Sequence, residues 1–278
     1  MANFSIVTNT GAINAQNKLT TNSLGMSNTI SRLSSGLRIN GAKDDAAGLA
    51  IAENLRADVA ALNQAVRNAN DGIGIINTAD AALGEVGNLL QRAVTLAEQA
   101  ASSTSGADSG TAKTALNAEY NQILSEIDRI SSTVQFIGVN LFSTTGATVD
   151  VQVGTGNTSS DRIQITTSAL AATGLGLNTN KLTTAANAQA ELVLVQTAID
   201  TISSRRGTLG ANYNRLEKTI SVITVQAENL KAAESQIRDA NIAEEVVNLT
   251  KYQVLNQTGL SALAQANSAQ QSVLSLLR

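Results

Sequence analysis

Apolar residues recur at alternating spacings of four and three along most of this chain, the pattern of a helix that keeps one seam against a partner. Between Leu55 and Ala97 the seam runs Leu55, Val59, Leu62, Val66, Ala69, Ile73, Ile76, Asp80, Leu83, Gly87, Leu90, Val94, Ala97, interrupted only at Asp80 and Gly87. A shorter stretch repeats it at Leu116, Tyr120, Ile123, Ile127, Ile130, Val134 and Ile137. The Ala/Ser/Thr/Gly-rich run from Ala100 to Gly110 that separates them reads as a turn reversing the chain. The longest seam lies in the second half: Leu192, Val195, Ile199, Ile202, Arg206, Leu209, Tyr213, Leu216, Ile220, Ile223, Ala227, Leu230, Glu234, Ile237. A helix from about Ala188 to Arg238 spans roughly 75 Å at 1.5 Å per residue, so the pattern predicts a long helical rod, a coiled-coil-like bundle.

From Gly138 to about Asn187 the period changes. Val149, Val151 and Val153 alternate with Asp150 and Gln152, Gly154-Thr155-Gly156-Asn157-Thr158 breaks the run, and Ile163 and Ile165 flank Gln164. This is the signature of one small β-hairpin, followed at Gly174-Leu175-Gly176 by irregular chain. The fold class is therefore mainly α with a hairpin decoration. The two ends carry weaker seams: Ala12, Gln16, Leu19, Ser23, Met26, Ile30, Leu33, Leu37, and Ile242, Val246, Leu249, Gln253, Asn256, Leu260, Leu263, Asn267, Gln270, Leu274, Leu277. Each polar seam residue loses apolar burial and needs a hydrogen-bond partner, so the ends are expected to order on assembly. The plainer alternative is two helices packed on their own molecule. The organisation this gives is terminal helices over 1–45 and 240–278, a helical rod over 46–142 and 188–239, and a hairpin with its loop over 143–187.

Composition narrows the chemistry. Of 278 residues 43% are apolar and 15% charged, enough apolar content for a core, and there is no His, Cys, Pro or Trp. Without His or Cys there is no Ser-His-Asp triad, no thiol nucleophile and no zinc, haem or iron–sulfur ligation of the usual kinds; neither an enzyme nor a cofactor is expected. The formal net charge of −3 carries no nucleic-acid footprint. No run of 18 apolar residues and no basic-then-apolar leader occurs, so neither membrane insertion nor conventional secretion is expected. The missing prolines suit long helices, in which each would cost about 3 kcal/mol. Asp44-Asp45 reads as a turn or helix start rather than paired catalytic carboxylates. Gly72-Ile73-Gly74 and Gly174-Leu175-Gly176 lack the strand, helix and third glycine of a phosphate loop. The sequons at Asn3, Asn157, Asn248 and Asn256 read as incidental.

Two long motif sets then resemble one family. Leu33-Ser34-Ser35-Gly36-Leu37-Arg38-Ile39-Asn40 followed by Ala42-Lys43-Asp44-Asp45-Ala46-Ala47-Gly48-Leu49-Ala50-Ile51-Ala52 is similar to the N-terminal signature of bacterial flagellins. Ile237-Arg238-Asp239-Ala240-Asn241-Ile242-Ala243-Glu244-Glu245, Asn256-Gln257-Thr258-Gly259, and Leu263-Ala264-Gln265-Ala266-Asn267 with the ending Val273 to Arg278 resemble the flagellin C-terminus. The likeness is collinear and covers about 1–142 and 188–278. It implies a self-assembling subunit of the extracellular flagellar filament, serving motility, with both ends paired on polymerisation as helices lining an inner tube. Leu33, Leu37, Arg38, Leu260, Leu263, Asn267, Leu274 and Leu277 are then expected at the filament interface. It further implies export through the flagellar type III apparatus, an export chaperone on the C-terminal segment, and filament-cap and hook-junction partners. O-linked sugars on the Ser/Thr residues between Ser143 and Ser168 are a further implication. Larger flagellins carry outer domains where this chain has only 138–187, so it resembles a minimal form. A hook–filament junction protein and, from another class, a cytoplasmic coiled-coil signalling rod are the alternatives. Leu90 to Gln99 is similar to the segment gripped by the vertebrate innate flagellin receptor: Gln91, Arg92 and Leu96 match it, while Val94 and Thr95 stand where an Arg and a Glu are usual.

Overall fold

The structure, a computed structural model, describes residues 8–102, 110–143, 145–179 and 181–276, with side chains to residue 272. Most of the Ala100–Gly110 turn lies outside the described residues. The helices are α1 (Thr10–Ser35), α2 (Ala46–Ala101), α3 (Gly110–Thr133), α4 (Ala185–Arg238) and α5 (Ile242–Leu276). Four short strands, β1 (Gln135–Phe136), β2 (Val139–Asn140), β3 (Ala147–Gln152) and β4 (Arg162–Thr167), form two antiparallel pairs between α3 and α4. The chain divides into two compact units, one made of both chain ends as far as Val59 and from Glu228, the other of Ala60–Ala227.

In the unit of Ala60–Ala227, two columns of α2 face the interior. Leu62, Ala69, Ile76, Leu83, Leu90 and Ala97 form one; Ala65, Gly72, Ala79, Val86, Ala93 and Ala100 form the other. The first column is the expected one. The second lies one residue before the expected Val66, Ile73, Asp80, Gly87 and Val94, all of which are only half-buried. A 3.5-residue repeat is satisfied by either choice. At 100° per residue, moving alternate positions back by one turns the inward face by about 50°. Except at Val86, which faces inward beside half-buried Gly87, the inward choice is the column of small side chains, while the larger Val66, Ile73 and Val94 flank the contact.

Helix α4 shows the same displacement. Val195, Ile202, Leu209, Leu216 and Ile223 are buried as expected, but Glu191 and Ala198 are buried in place of Leu192 and Ile199, and Arg205 is half-buried where Arg206 was expected. Asp80 and Arg206, charged interruptions of the expected seams, therefore sit outside the buried columns. Arg206 Nε and Nη2 donate to Asp80 Oδ1 and Oδ2 at 2.7 and 3.1 Å, and the hydrogen bonds and charge of Arg206 hold the Asp80 carboxyl below its ordinary pKa. Inside, Tyr120 Oη of α3 donates to Glu191 Oε1 at 2.5 Å, and the two residues are 0% and 1% exposed. Burial, with the bond to Glu191 and its charge behind it, pushes the Tyr120 phenol well above its ordinary pKa.

The α3 seam holds at Tyr120, Ile123, Ile127 and Ile130 and then overruns. The helix ends at Thr133, and a second, unexpected hairpin pairs Phe136 with Val139. Two-residue strands carry no readable alternation. In the larger hairpin Val149 pairs with Ile165 and Val151 with Ile163, and Val151, Ile163 and Ile165 face inward. It seats on α2 at Gly72, where a Cβ would stand 2.9 Å from Val151 Cγ2, 3.3 Å from Leu216 Cδ1 and 3.4 Å from Ile165 Cδ1. A Cβ on Gly74 would stand 3.1 Å from the Phe136 ring. The Gly72-Ile73-Gly74 triplet is thus a bed for two hairpins.

In the unit of the chain ends, Asn9 Oδ1 caps α1 by accepting from Ala12 N at 2.9 Å, and Gly36 ends it in the left-handed region at φ 72°. Asp44 Oδ2 accepts from the N–H groups of Asn40 and Gly41, and Asp45 Oδ1 caps α2 at Gly48 N, 2.8 Å away. The acidic pair therefore builds a turn and a helix start. Main-chain bonds tie the end of α1 to the end of α4. Arg38 N donates to Arg238 O at 2.6 Å and Ala240 N to Gly36 O at 2.9 Å, around the bridge between Leu37 and Asp239.

Candidate assembly interface

Helices α1 and α5 pack antiparallel, since Asn9 meets Ala266 and Arg32 meets Glu245. Each helix has a glycine where the other places a large side chain. A Cβ on Gly25 would stand 2.6 to 2.9 Å from the Tyr252 ring, and one on Gly259 would stand 3.0 Å from Leu19 Cδ1. The facing positions are Ala12, Ala15, Leu19, Asn22, Met26, Thr29 and Leu33 on α1, and Glu245, Leu249, Tyr252, Asn256, Gly259, Leu263, Ala266 and Gln270 on α5. Alternate positions again precede the expected ones by a residue, so Gln16, Ser23, Ile30, Gln253, Leu260 and Asn267 all turn outward.

This facing surface is mixed. Its buried members are Thr29 and Glu245, and its cross-helix bonds are polar: Asn9 Nδ2 to Ala266 O at 3.0 Å, Arg32 Nη1 to Glu245 Oε1 at 3.3 Å, and Asn256 Nδ2 to Met26 Sδ at 3.5 Å. The outer surface is the more apolar in its large residues. Leu24 is 63% exposed, Val247 65%, Val254 63% and Leu260 57%, with Ile13, Ile30, Ile242 and Val246 also exposed. Val247 and Val254, seven residues apart, share one face of α5, and Ile242 and Val246 are one turn apart. Exposed apolar faces of this kind mark interaction surfaces.

Of the interface residues named from the sequence, Leu260, Asn267 and Arg38 are exposed, and Leu33, Leu37 and Leu263 are half-buried within the chain itself. Arg38 is engaged, its Nη2 donating to Ile237 O at 2.5 Å. The Leu274 side chain and all of Leu277 lie outside the described residues. Leu24, Val247 and Val254 were missed because they stand off both expected seams; a large apolar residue on a helix's otherwise polar face is the signal that finds them. In the receptor-like segment, Gln91 and Arg92 are exposed, and Arg92 pairs with Glu119 Oε1 of α3, Nη2 at 2.6 Å and Nε at 2.8 Å. Leu96 is 1% exposed, so its side chain belongs to the core and offers no surface contact, a correction to the match by sequence. Among the described residues no three His, Cys, Asp or Glu side chains gather to hold a metal ion.

Residues 6–147 match the bacterial flagellin N-terminal helical region, and residues 192–277 match the bacterial flagellin C-terminal helical region. A flagellin of Halalkalibacterium halodurans is 42% identical over 270 residues, covering 97% of this chain and 98% of that protein. The flagellar filament 33 kDa core protein of Treponema phagedenis is 39% identical over 284 residues, with the same coverage of 97% and 98%. The crystal structure of Bacillus cereus flagellin shares 34% identity over 60% of this chain and 94% of that chain, at a TM-score of 0.49.

Proposed function

This chain belongs to the bacterial flagellin family, as a structural subunit that self-assembles into the flagellar filament, and we propose that the outer faces of α1 and α5 carry its assembly contacts. The observation behind this is the apolar surface that the helix pair leaves in water: Leu24, Val247, Val254 and Leu260, each more than half exposed. Burying them against neighbouring copies offsets the ordering entropy of the joined subunits. Contacts that join one surface of a copy to a different surface of the next, without closing, extend into a helical tube.

On this reading, 1–45 and 240–278 form the inner tube, 46–142 and 188–239 the surrounding helical rod, and 143–187 its hairpin decoration. Leu260, Asn267 and the exposed edges of Leu33, Leu37 and Leu263 contribute to the contacts with Arg38, Leu274 and Leu277. The protein works outside the cell without catalysis or a cofactor. It reaches that place through the flagellar type III apparatus with a chaperone on its C-terminal segment, and it meets the hook-junction and cap proteins at the filament's two ends. No helix among the described residues is long and apolar enough to cross a membrane. Gln91 and Arg92 offer the vertebrate innate receptor an exposed pair.

Electron microscopy of the purified, concentrated chain tests the assembly reading. Long tubular filaments are expected; monodisperse particles or short closed oligomers under all polymerising conditions would overturn it.

A further inference from the structure

One charged group in the unit of Ala60–Ala227 is left with fewer partners than its chemistry asks for. Arg205 of α4 is half-buried, and its guanidinium keeps a single hydrogen bond, from Nη1 to Ala169 O at 2.7 Å. A guanidinium holds several N–H donors in a planar fork and stays charged, so most of that fork is unused. Its neighbour Arg206 has both Asp80 oxygens. Among the described residues no carboxylate pairs with Arg205, and burial holds its pKa below the ordinary arginine value with no acidic group to offset the lost water. A cation drawn partly out of water is normally matched by an anion.

Arg205 stands at a cleft of about 200 Å³ that opens between α2, the end of β4 and α4. The buried lining of the cleft includes Leu83, Phe142 and Leu209, and its exposed edge includes Ser168 and Thr208. An apolar cavity of about 150 Å³ admits a benzene molecule, so this space suits a single aromatic ring. The unused fork matches the two oxygens of a carboxylate, and the leucine and phenylalanine side chains take apolar surface out of water. Apolar walls with a few placed polar groups are the make-up of small-molecule sites.

We propose that this cleft binds a small aromatic carboxylate, its oxygens on the Arg205 guanidinium and its ring against Leu83, Phe142 and Leu209. Inorganic phosphate satisfies the charge and leaves the apolar lining bare; an uncharged ring of the same size does the reverse. The site lies within one compact unit and does not depend on the assembly reading. A ligand there touches α2, α4 and the chain leaving β4, so occupancy stabilises the folded monomer by mass action.

Titration of the full-length monomer with benzoate, followed by heteronuclear NMR and by thermal melting, tests this. Saturable binding is expected, with shifts centred on Leu83, Phe142, Arg205 and Leu209 and a melting temperature that rises with benzoate. Its affinity should exceed those of inorganic phosphate and benzyl alcohol by about tenfold or more. Arg205→Gln keeps a donor for Ala169 O and should weaken benzoate binding by about tenfold or more. Thr208→Leu, at an exposed helix position, adds bulk to the edge of the cleft without touching the core and should weaken benzoate binding as well. No saturable binding, or phosphate binding as tightly as benzoate, would defeat the proposal. So would an unchanged benzoate affinity in either variant, since the ligand would then sit elsewhere.

Discussion

Gly72→Ala and Gly84→Ala make the same chemical change in one helix, and the structure requires them to act in opposite directions. Alanine is favoured over glycine inside a helix by about 1 kcal/mol. At Gly84 a Cβ would meet nothing within 4 Å, so that gain stands and the variant is more stable by about 0.5–1 kcal/mol. At Gly72 the new Cβ would stand 2.9 Å from Val151 Cγ2, on a β-hairpin held in register by six residue pairs, and against Leu216 and Ile165 as well. Overpacking of this kind costs about 1–3 kcal/mol, which leaves Gly72→Ala neutral to about 2 kcal/mol less stable. Urea unfolding of the full-length monomer followed by circular dichroism reads both values. A thermal melt should separate the variants by several degrees, at about 2–4 °C per kcal/mol for a protein of this size. Adding Val151→Ala to Gly72→Ala should cost less than the two single changes summed, because the truncated side chain makes the room that the new methyl group needs. If Gly72→Ala stabilises the protein as much as Gly84→Ala does, the hairpin does not sit on that glycine and the account of its seat is wrong.

Tyr120→Phe removes the donor to the buried Glu191 carboxylate and should destabilise the monomer by about 1.5–3 kcal/mol at pH 7. Because the folded phenol's pKa is raised, the unfolded chain loses its Tyr120 proton first. The wild type should therefore lose stability above about pH 10 at up to about 1.4 kcal/mol per pH unit more steeply than the variant, and parallel pH profiles would refute this. Val247→Asp should change monomer stability by no more than about 0.5 kcal/mol, since the side chain is already in water, yet stop filament growth seen by light scattering; normal filament yield would place Val247 on the solvent side. The exposed Arg206–Asp80 pair should be worth less than about 1 kcal/mol in a double-mutant cycle and weaken in salt. With the folded Asp80 pKa depressed, its contribution is present above the ordinary carboxylate range and fades as pH falls through it, so a coupling that strengthens in acid would contradict the geometry.

Helix number, length and order were legible because they depend on long stretches of periodic residues. The larger hairpin was equally plain, its Val149, Val151, Ile163 and Ile165 pairing as the alternation implied. What periodicity could not decide was which of two adjacent residues completes each turn of the seam. Hydrophobicity favoured Val66 over Ala65 and Ile73 over Gly72, whereas packing favours the side chain that lets backbones approach. The same ambiguity hid the assembly surface. Leu260, read as a seam position, faces outward, and Leu24 and Val247 lay off the expected pattern altogether. Arg92 was named from its match to the receptor-like segment, but its pairing with Glu119 spans 27 positions of sequence and no local signal carries it. The terminal seams carry polar residues as read, with Asn256 and Gln270 at expected positions and Asn22, Thr29 and Glu245 facing inward where Ser23, Ile30 and Val246 were expected.

The stitch between the two helix ends has a mechanical consequence. Helix α1 stops at Gly36 and α4 stops at Arg238, and the backbone bonds joining Arg38 to Arg238 and Ala240 to Gly36 set both interruptions side by side. A force applied to α1 therefore reaches α5 through main chain as well as through side-chain contact. Neither helix can swing about its own break without carrying the other, so the pair moves as a single lever with one fulcrum. Tension pulling along α1 would load those two bonds in concert, and the joint yields only when both give way.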